Sequence, residues 1–219
     1  MDSALEASAI GRKAGDLWLL REVSLKVSPG ERLGVVGNTG SGKTLLLRAL
    51  ALLDPVDQGE VHWQGQAVRG NAVPAFRSRV MYLHQSPALI EGTVEDNLRL
   101  PFTLGAHQGH AFSLEATLTH LQRVGRGKEF LNRSTRDLSG GEAQMVALLR
   151  AIALEPLVLL LDEPTAALDE ENTRTIEELV SAWFDNRKPS GALVWVSHNN
   201  GQVARMTDRV VTMEDGVLS

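Results

Sequence analysis

No cysteine occurs anywhere in the 219 residues. That excludes disulfides, thiolate catalysis, cysteine-ligated zinc and iron-sulfur clusters, and it fits a reducing cytoplasm. Positive charge is not in excess either: 22 Lys and Arg stand against 27 Asp and Glu, a formal net charge of -5. Non-specific binding to nucleic acid needs clustered cations to neutralise phosphates, so no nucleic-acid partner is expected and any anion must be captured by a local device. Long apolar runs are also missing. LLLRALALL at 45–53 is interrupted by Arg48, and LVLLL at 157–161 is bounded by Pro156 and Asp162. Neither approaches the roughly 20 residues that cross a bilayer. The first residues, with an acid at Asp2 and no apolar h-region, read as neither a secretory signal nor an anchor. Service to a membrane process would therefore pass through a partner.

What is present suffices for one core with a small subdomain: 43% of residues are hydrophobic and 22% charged. LWLLREVSLKV at 17–27 reads as a strand stopped by Ser28, Pro29 and Gly30, and RLGVV at 32–36 as a second strand. TLLLRALALL then has helical composition up to Asp54-Pro55, and EVHWQGQAV at 60–68 reads as a hairpin turning at Gly65. RVMYLHQ at 79–85 is a strand ending in a glutamine. Between about 93 and 137 the chain is polar with helical patches, and GEAQMVALLRAIAL continues in helical spacing to Pro156. LVLLL is a buried strand, 170–187 a polar helix, ALVWVS a strand and RVVTMEDG a last strand and turn. Buried strands alternating with helices predict a parallel α/β core.

Three ordered motifs carry the chemistry. In GNTGSGKT at 37–44, Gly37, Gly40 and Gly42 allow the backbone, with Asn38, Thr39 and Ser41, to curl its N–H groups around phosphate oxygens at a helix N-terminus. Lys43 reaches the β- and γ-phosphates and Thr44 offers a hydroxyl to Mg2+. LVLLLDEP puts Asp162 and Glu163 at the carboxyl end of a strand, where α/β sheets present their ligand crevice. Asp162 is suited to hold Mg2+ and Glu163 to polarise an attacking water. Both motifs also admit plainer readings, a glycine turn and a pair of capping acids. In LSGGE at 138–142, Ser139, Gly140, Gly141 and Glu142 open a long helix and form a second anion-binding end. One chain needs a single γ-phosphate cradle, so the second is expected to serve the nucleotide of another copy.

With Gln85, Ala167-Leu168-Asp169 and His198 added, the set resembles the ATP-binding cassette family over nearly the whole chain. The resemblance implies a P-loop NTPase core of that type over 1–219: a mainly parallel sheet, an N-terminal antiparallel β part and a helical subdomain inserted at about 93–155. It further implies an ATPase with ATP and Mg2+, and a head-to-tail homodimer holding nucleotide between GNTGSGKT of one copy and LSGGE of the other. Gln85 would sense Mg2+ and water and couple to a transmembrane permease subunit, His198 would contact the γ-phosphate, and Asp169 would communicate across the interface. The chain would sit on the cytoplasmic face of the inner membrane. ALIEGTVEDNLRLPF, LSGGE and ALVWVSHN together look most like the ATPases of small Fet-type bacterial iron exporters.

The sequence departs from the family at several points. The adenine-stacking aromatic usually found before the first loop is replaced by GRKAGD, where Arg12 is a candidate substitute and Trp18 comes late. Ala143 and Met145 stand where basic residues are usual, and Glu142 where glutamine is common. His107, His110 and His120 have no metal-site spacing and are expected to be solvated. The competing class is a soluble cassette ATPase of DNA repair or translation. Such proteins carry coiled coils, zinc modules or two cassettes per chain, none of which is present here.

Overall fold

The computed structural model describes residues 4–107 and 111–219, with the side chain of Ala106 left aside. His110 and Asp2 lie outside the described residues. Two sheets organise the chain. β1 (Leu5–Ala14), β2 (Leu17–Val27), β4 (Gln58–Trp63) and β5 (Gln66–Ala67) form an antiparallel sheet in the order β2-β1-β4-β5. The other sheet has six strands, from β10 (Val217–Leu218) and β9 (Arg209–Glu214) through β3 (Arg32–Val36) and β8 (Ala192–Val196) to β7 (Val158–Asp162) and β6 (Val80–Leu83). β9, β3, β8 and β7 run parallel to one another, and β10 pairs antiparallel with β9. This is the mixed α/β architecture expected, with an N-terminal antiparallel part.

The chain divides into two compact units. The first comprises 1–82, 157–163 and 187–219, and holds both sheets. Its core packs Val35, Leu160, Val194 and Val196 against Leu46, Leu47 and Leu50 of α1 (Lys43–Leu50), with Ile10, Leu20 and Val23 from the antiparallel sheet. Each such side chain withdrawn from water contributes about 1.5–3 kcal/mol. β7 and β8 are buried at every position, as their unbroken apolar runs require.

Helix α1 ends earlier than Asp54-Pro55. Leu52 turns into the left-handed region at φ 55, and the N–H of Leu53 reaches back to the Arg48 carbonyl at 2.9 Å. A leucine in the position usually taken by glycine gave no warning of this stop. Another helix, α7 (Asn200–Met206), was not expected. Its signals are Asn199, whose side chain caps the Gln202 N–H, and the buried Val203 and Met206 three residues apart. Gly34 lets it approach β3, since a Cβ there would lie 2.9 Å from Val203 Cγ1.

The second unit comprises 83–156 and 164–186. It is helical: α3 (Val94–Arg99), α4 (Leu114–Arg123), α5 (Gly140–Ile152) and nearly all of α6 (Glu170–Arg187); α2 (Val73–Arg77) belongs to the first unit. α3 begins with a capping box of Thr93 and Asp96. Asn97, fully buried, bonds Ile90 through both its carbonyl and its amide and so fixes the loop before it. His107 is not solvated as expected; it is 8% exposed. His120 is half-buried, and burial, assisted by Arg123, lowers its basicity.

Candidate functional site

The loop 37–42 follows β3 and runs directly into α1. Gly37, Gly40 and Gly42 adopt φ 148, 82 and 108, a region that side chains other than glycine enter at a cost. At Gly37 a Cβ would lie 2.2 Å from the Met213 carbonyl, whereas around Gly40 there is nothing within 4 Å. The loop is thus packed on one side and open on the other. Its helix has no side-chain cap and no acid in the first turn, so the first N–H groups keep their affinity for an anion. Lys43 is 6% exposed and its Nζ donates to the carbonyls of Gly37 and Asn38, each at 2.8 Å. Burial lowers the Lys43 ammonium below its ordinary pKa, opposed by the charges of Glu163 and Asp162. Asn38, Thr39, Gly40 and Thr44 are exposed, and the hydroxyl of Ser41 is buried without a partner.

A cavity of about 330 Å3 opens between the loop and Met213–Asp215, and another of about 280 Å3 reaches from Gly37 to His198. A larger groove of about 750 Å3 lies at Ser28–Glu31 and Arg209 and contains none of these motif residues.

The acids follow from strand register. Asp162, 2% exposed, ends β7 opposite Val196, the last residue of β8. Glu163 then turns to φ 48 and its N–H donates to the Val196 carbonyl at 3.1 Å. A non-glycine residue in that region stores strain, which frequently marks a working site. His198 comes just beyond β8, with Nε2 2.6 Å from Glu163 Oε1. Its segment is pinned: Asn199 N–H donates to Ser197 Oγ at 3.1 Å, and that hydroxyl donates to the buried Gln202 Oε1 at 2.8 Å. The first unit therefore gathers a cation and uncapped N–H groups for phosphate, a buried carboxylate, and a carboxylate–imidazole pair able to hold a water and take its proton.

Tyr82 was missed by sequence reasoning. This lone tyrosine of the chain donates its hydroxyl to Asp162 Oδ2 at 3.0 Å. Burial, with the Asp162 charge behind it, raises its pKa, so the phenol keeps its proton. The signal available in the sequence was its alternation with Val80 in RVMYL, which only announces a strand.

Gln85 and the LSGGE residues lie in the second unit. Gln85 is exposed, two residues past the end of β6. Ser139 caps α5: its Oγ accepts from Glu142 N–H at 3.2 Å, and the Glu142 carboxylate accepts from Ser139 N–H at 3.0 Å. The box leaves the Gly140 and Gly141 N–H groups at the helix end. Glu142, 8% exposed, also pairs with Arg133 at 2.5 Å and Arg126 at 3.2 Å. Burial works to raise its pKa, but the Ser139 N–H and the two guanidinium groups outweigh that and hold it below the usual value. These arginines answer the negative charge that glutamate brings to a helix end suited to phosphate. Asp169 caps α6 through Asn172 N–H at 2.7 Å. Arg12 is half-buried and its guanidinium donates to the Pro55 carbonyl, while Lys13 Nζ sits 4.3 Å from the Trp18 ring centroid.

The family model described as "ABC transporter" matches residues 20–166. The chain belongs to this family of ATP-binding transporter subunits. The lipoprotein-releasing system ATP-binding protein LolD of Maricaulis maris is 39% identical over 100% of this chain and 97% of its own. The probable iron export ATP-binding protein FetA of Escherichia coli is 31% identical over 96% and 91%. Among solved structures, an ATP-binding cassette dimer in a post-hydrolysis state with ADP and phosphate is 27% identical, with a TM-score of 0.84 over 98% of this chain and 96% of that one. This ABC chain binds and hydrolyses ATP, and its relatives serve several substrates. Among its described residues, no helix is long and apolar enough to cross a membrane.

Proposed function

We propose that this ABC ATPase works as a homodimer, with ATP and Mg2+ held between the 37–44 loop of one copy and Ser139–Glu142 of the other, and that it drives a transmembrane permease from the cytoplasmic face of the inner membrane. The observation that carries the reading is the convergence of Lys43, Asp162, Glu163 and His198 on one edge of the parallel sheet, while a second anion-binding helix end stands at Ser139.

The residues fit the metal. Among the described residues no cluster of three or more His, Asp or Glu could hold an ion unaided. Mg2+ commonly binds through one or two protein oxygens, substrate phosphates and water. Thr44 and Asp162 would supply the protein oxygens, and the ion would neutralise phosphate charge. Glu163 accepts a proton from the attacking water, and His198 holds Glu163 and faces the γ-phosphate. Arg12, anchored by Pro55, is the group we assign to the adenine in place of an aromatic.

For the cargo, ALIEGTVEDNLRLPF and the full-length similarity to FetA support metal export, iron in particular. The 39% identity to LolD supports lipoprotein release as a second reading. Purifying the tagged chain from its native membranes tests the assignment. It should bring down a polytopic membrane protein that stimulates ATP hydrolysis; recovery with ribosomes or DNA instead would contradict it. In cells lacking the chain, iron accumulation supports the first cargo and lipoproteins stranded at the inner membrane the second.

A further inference from the structure

Asp162 does not stand alone at the end of its strand. Its carboxylate is 2% exposed and takes a hydrogen bond from Tyr82, whose half-buried ring reaches it from β6. The guanidinium of Arg48 in α1 lies near enough to the same phenol to pull its pKa down against the larger effects of burial and Asp162. Arg48 is itself held by Asp54 through two bonds, Nε to Oδ2 and Nη2 to Oδ1, both 2.8 Å. A phenol has one proton to donate, and here it goes to Asp162. The guanidinium held by Asp54 thus stands beside the phenol that is bonded to Asp162.

We propose that Tyr82 is a positioning residue for the metal site: its hydroxyl, bonded to Asp162, fixes the plane of that carboxylate and presets the oxygen offered to nucleotide-bound Mg2+. This rests on the reading of Asp162 as the Mg2+ carboxylate. Outer-shell hydrogen bonds of this kind orient ligands, and their loss typically weakens metal binding by about 10–100-fold. Phenylalanine at position 82 keeps the ring and removes the one donor.

Calorimetric titration of the full chain with ATP, in Mg2+ and in EDTA, gives the factor by which metal improves nucleotide affinity. Tyr82→Phe should reduce that factor by about tenfold and leave the EDTA affinity unchanged, a split that a general packing defect does not produce. Asp162→Asn is the reference and should abolish the factor. If Asp162→Asn leaves the factor intact, the reading of Asp162 fails. If Asp162→Asn abolishes it and Tyr82→Phe behaves as wild type, the Tyr82 proposal alone fails. A second measurement needs no variant. Because Tyr82 is the lone tyrosine, 13Cζ-tyrosine labelling yields one resonance. Replacing Mg2+ by paramagnetic Mn2+ in the ATP complex should broaden it strongly; a line that stays sharp overturns the proposal.

Discussion

Glu163 and His198 meet at 2.6 Å because β7 and β8 are parallel neighbours whose last residues, Asp162 and Val196, lie in register. The residues just past two adjacent strand ends face each other, and the Ser197–Gln202 hydrogen bond keeps the second of them in place. The pair is thus set by backbone register rather than by long side chains searching for each other.

Removing the imidazole should cost turnover rather than binding. His198→Ala is expected to lower the rate of phosphate release by about 10²–10⁴-fold, the usual contribution of a positioned proton-transfer group. ATP affinity measured by calorimetry should change by less than about tenfold, because Lys43 and the loop N–H groups hold the phosphates. A large loss of affinity with unchanged turnover would place His198 in binding instead.

The Arg48–Asp54 pair gives the chain an acid-sensitive joint. The paired guanidinium holds Asp54 below the usual carboxylate pKa. A carboxyl so depressed stabilises the fold above its unfolded pKa of about 3.9, and that contribution is lost as pH falls through the lower folded value. Asp54→Asn should lower stability at pH 7 by about 1 kcal/mol, since the pair is only partly buried. The difference from wild type should shrink below about pH 4. Urea unfolding at pH 7 and pH 3 measures both; a constant difference would show that the pair is not the cause.

Gly141 is needed for space as well as for its N–H. A Cβ at this position would lie 2.4 Å from Asn172 Cγ, and Asn172 is held by both carboxylate oxygens of Asp169, at 3.0 and 2.8 Å. Gly141→Ala must push that amide off its partner and should destabilise the chain by about 1–3 kcal/mol, the usual cost of overpacking. Gly140→Ala, with nothing within 4 Å of its Cβ, should leave stability nearly unchanged. Parallel urea titrations compare the two.

Much of this was legible in the sequence because the motifs are local. GNTGSGKT, LSGGE and LVLLLDEP are contiguous, and strand, loop and helix follow from glycine freedom and apolar periodicity. β2, β3 and α6 fall at the residues their patterns indicate. The features that were not legible depend on tertiary partners. Tyr82 acquires meaning only when β6 and β7 share a sheet and its hydroxyl finds Asp162. Arg126 and Arg133 look like surface charge until Glu142 lies between them. His107 looks solvated in a polar stretch, yet the fold buries it. α1 stops at a left-handed leucine, for which composition offers no cue.

The central claim is that two copies share each nucleotide, and Glu163→Gln tests it most directly. The amide keeps shape and hydrogen bonding but cannot take a proton, so hydrolysis should fall by about a hundredfold or more while ATP stays bound. Light scattering after size exclusion, at high protein concentration, should then show monomer with ADP and dimer with ATP. Adding Ser139→Arg should abolish the dimer and leave ATP binding to the monomer intact. A double variant that still dimerises with ATP would contradict the role assigned to Ser139 across the interface.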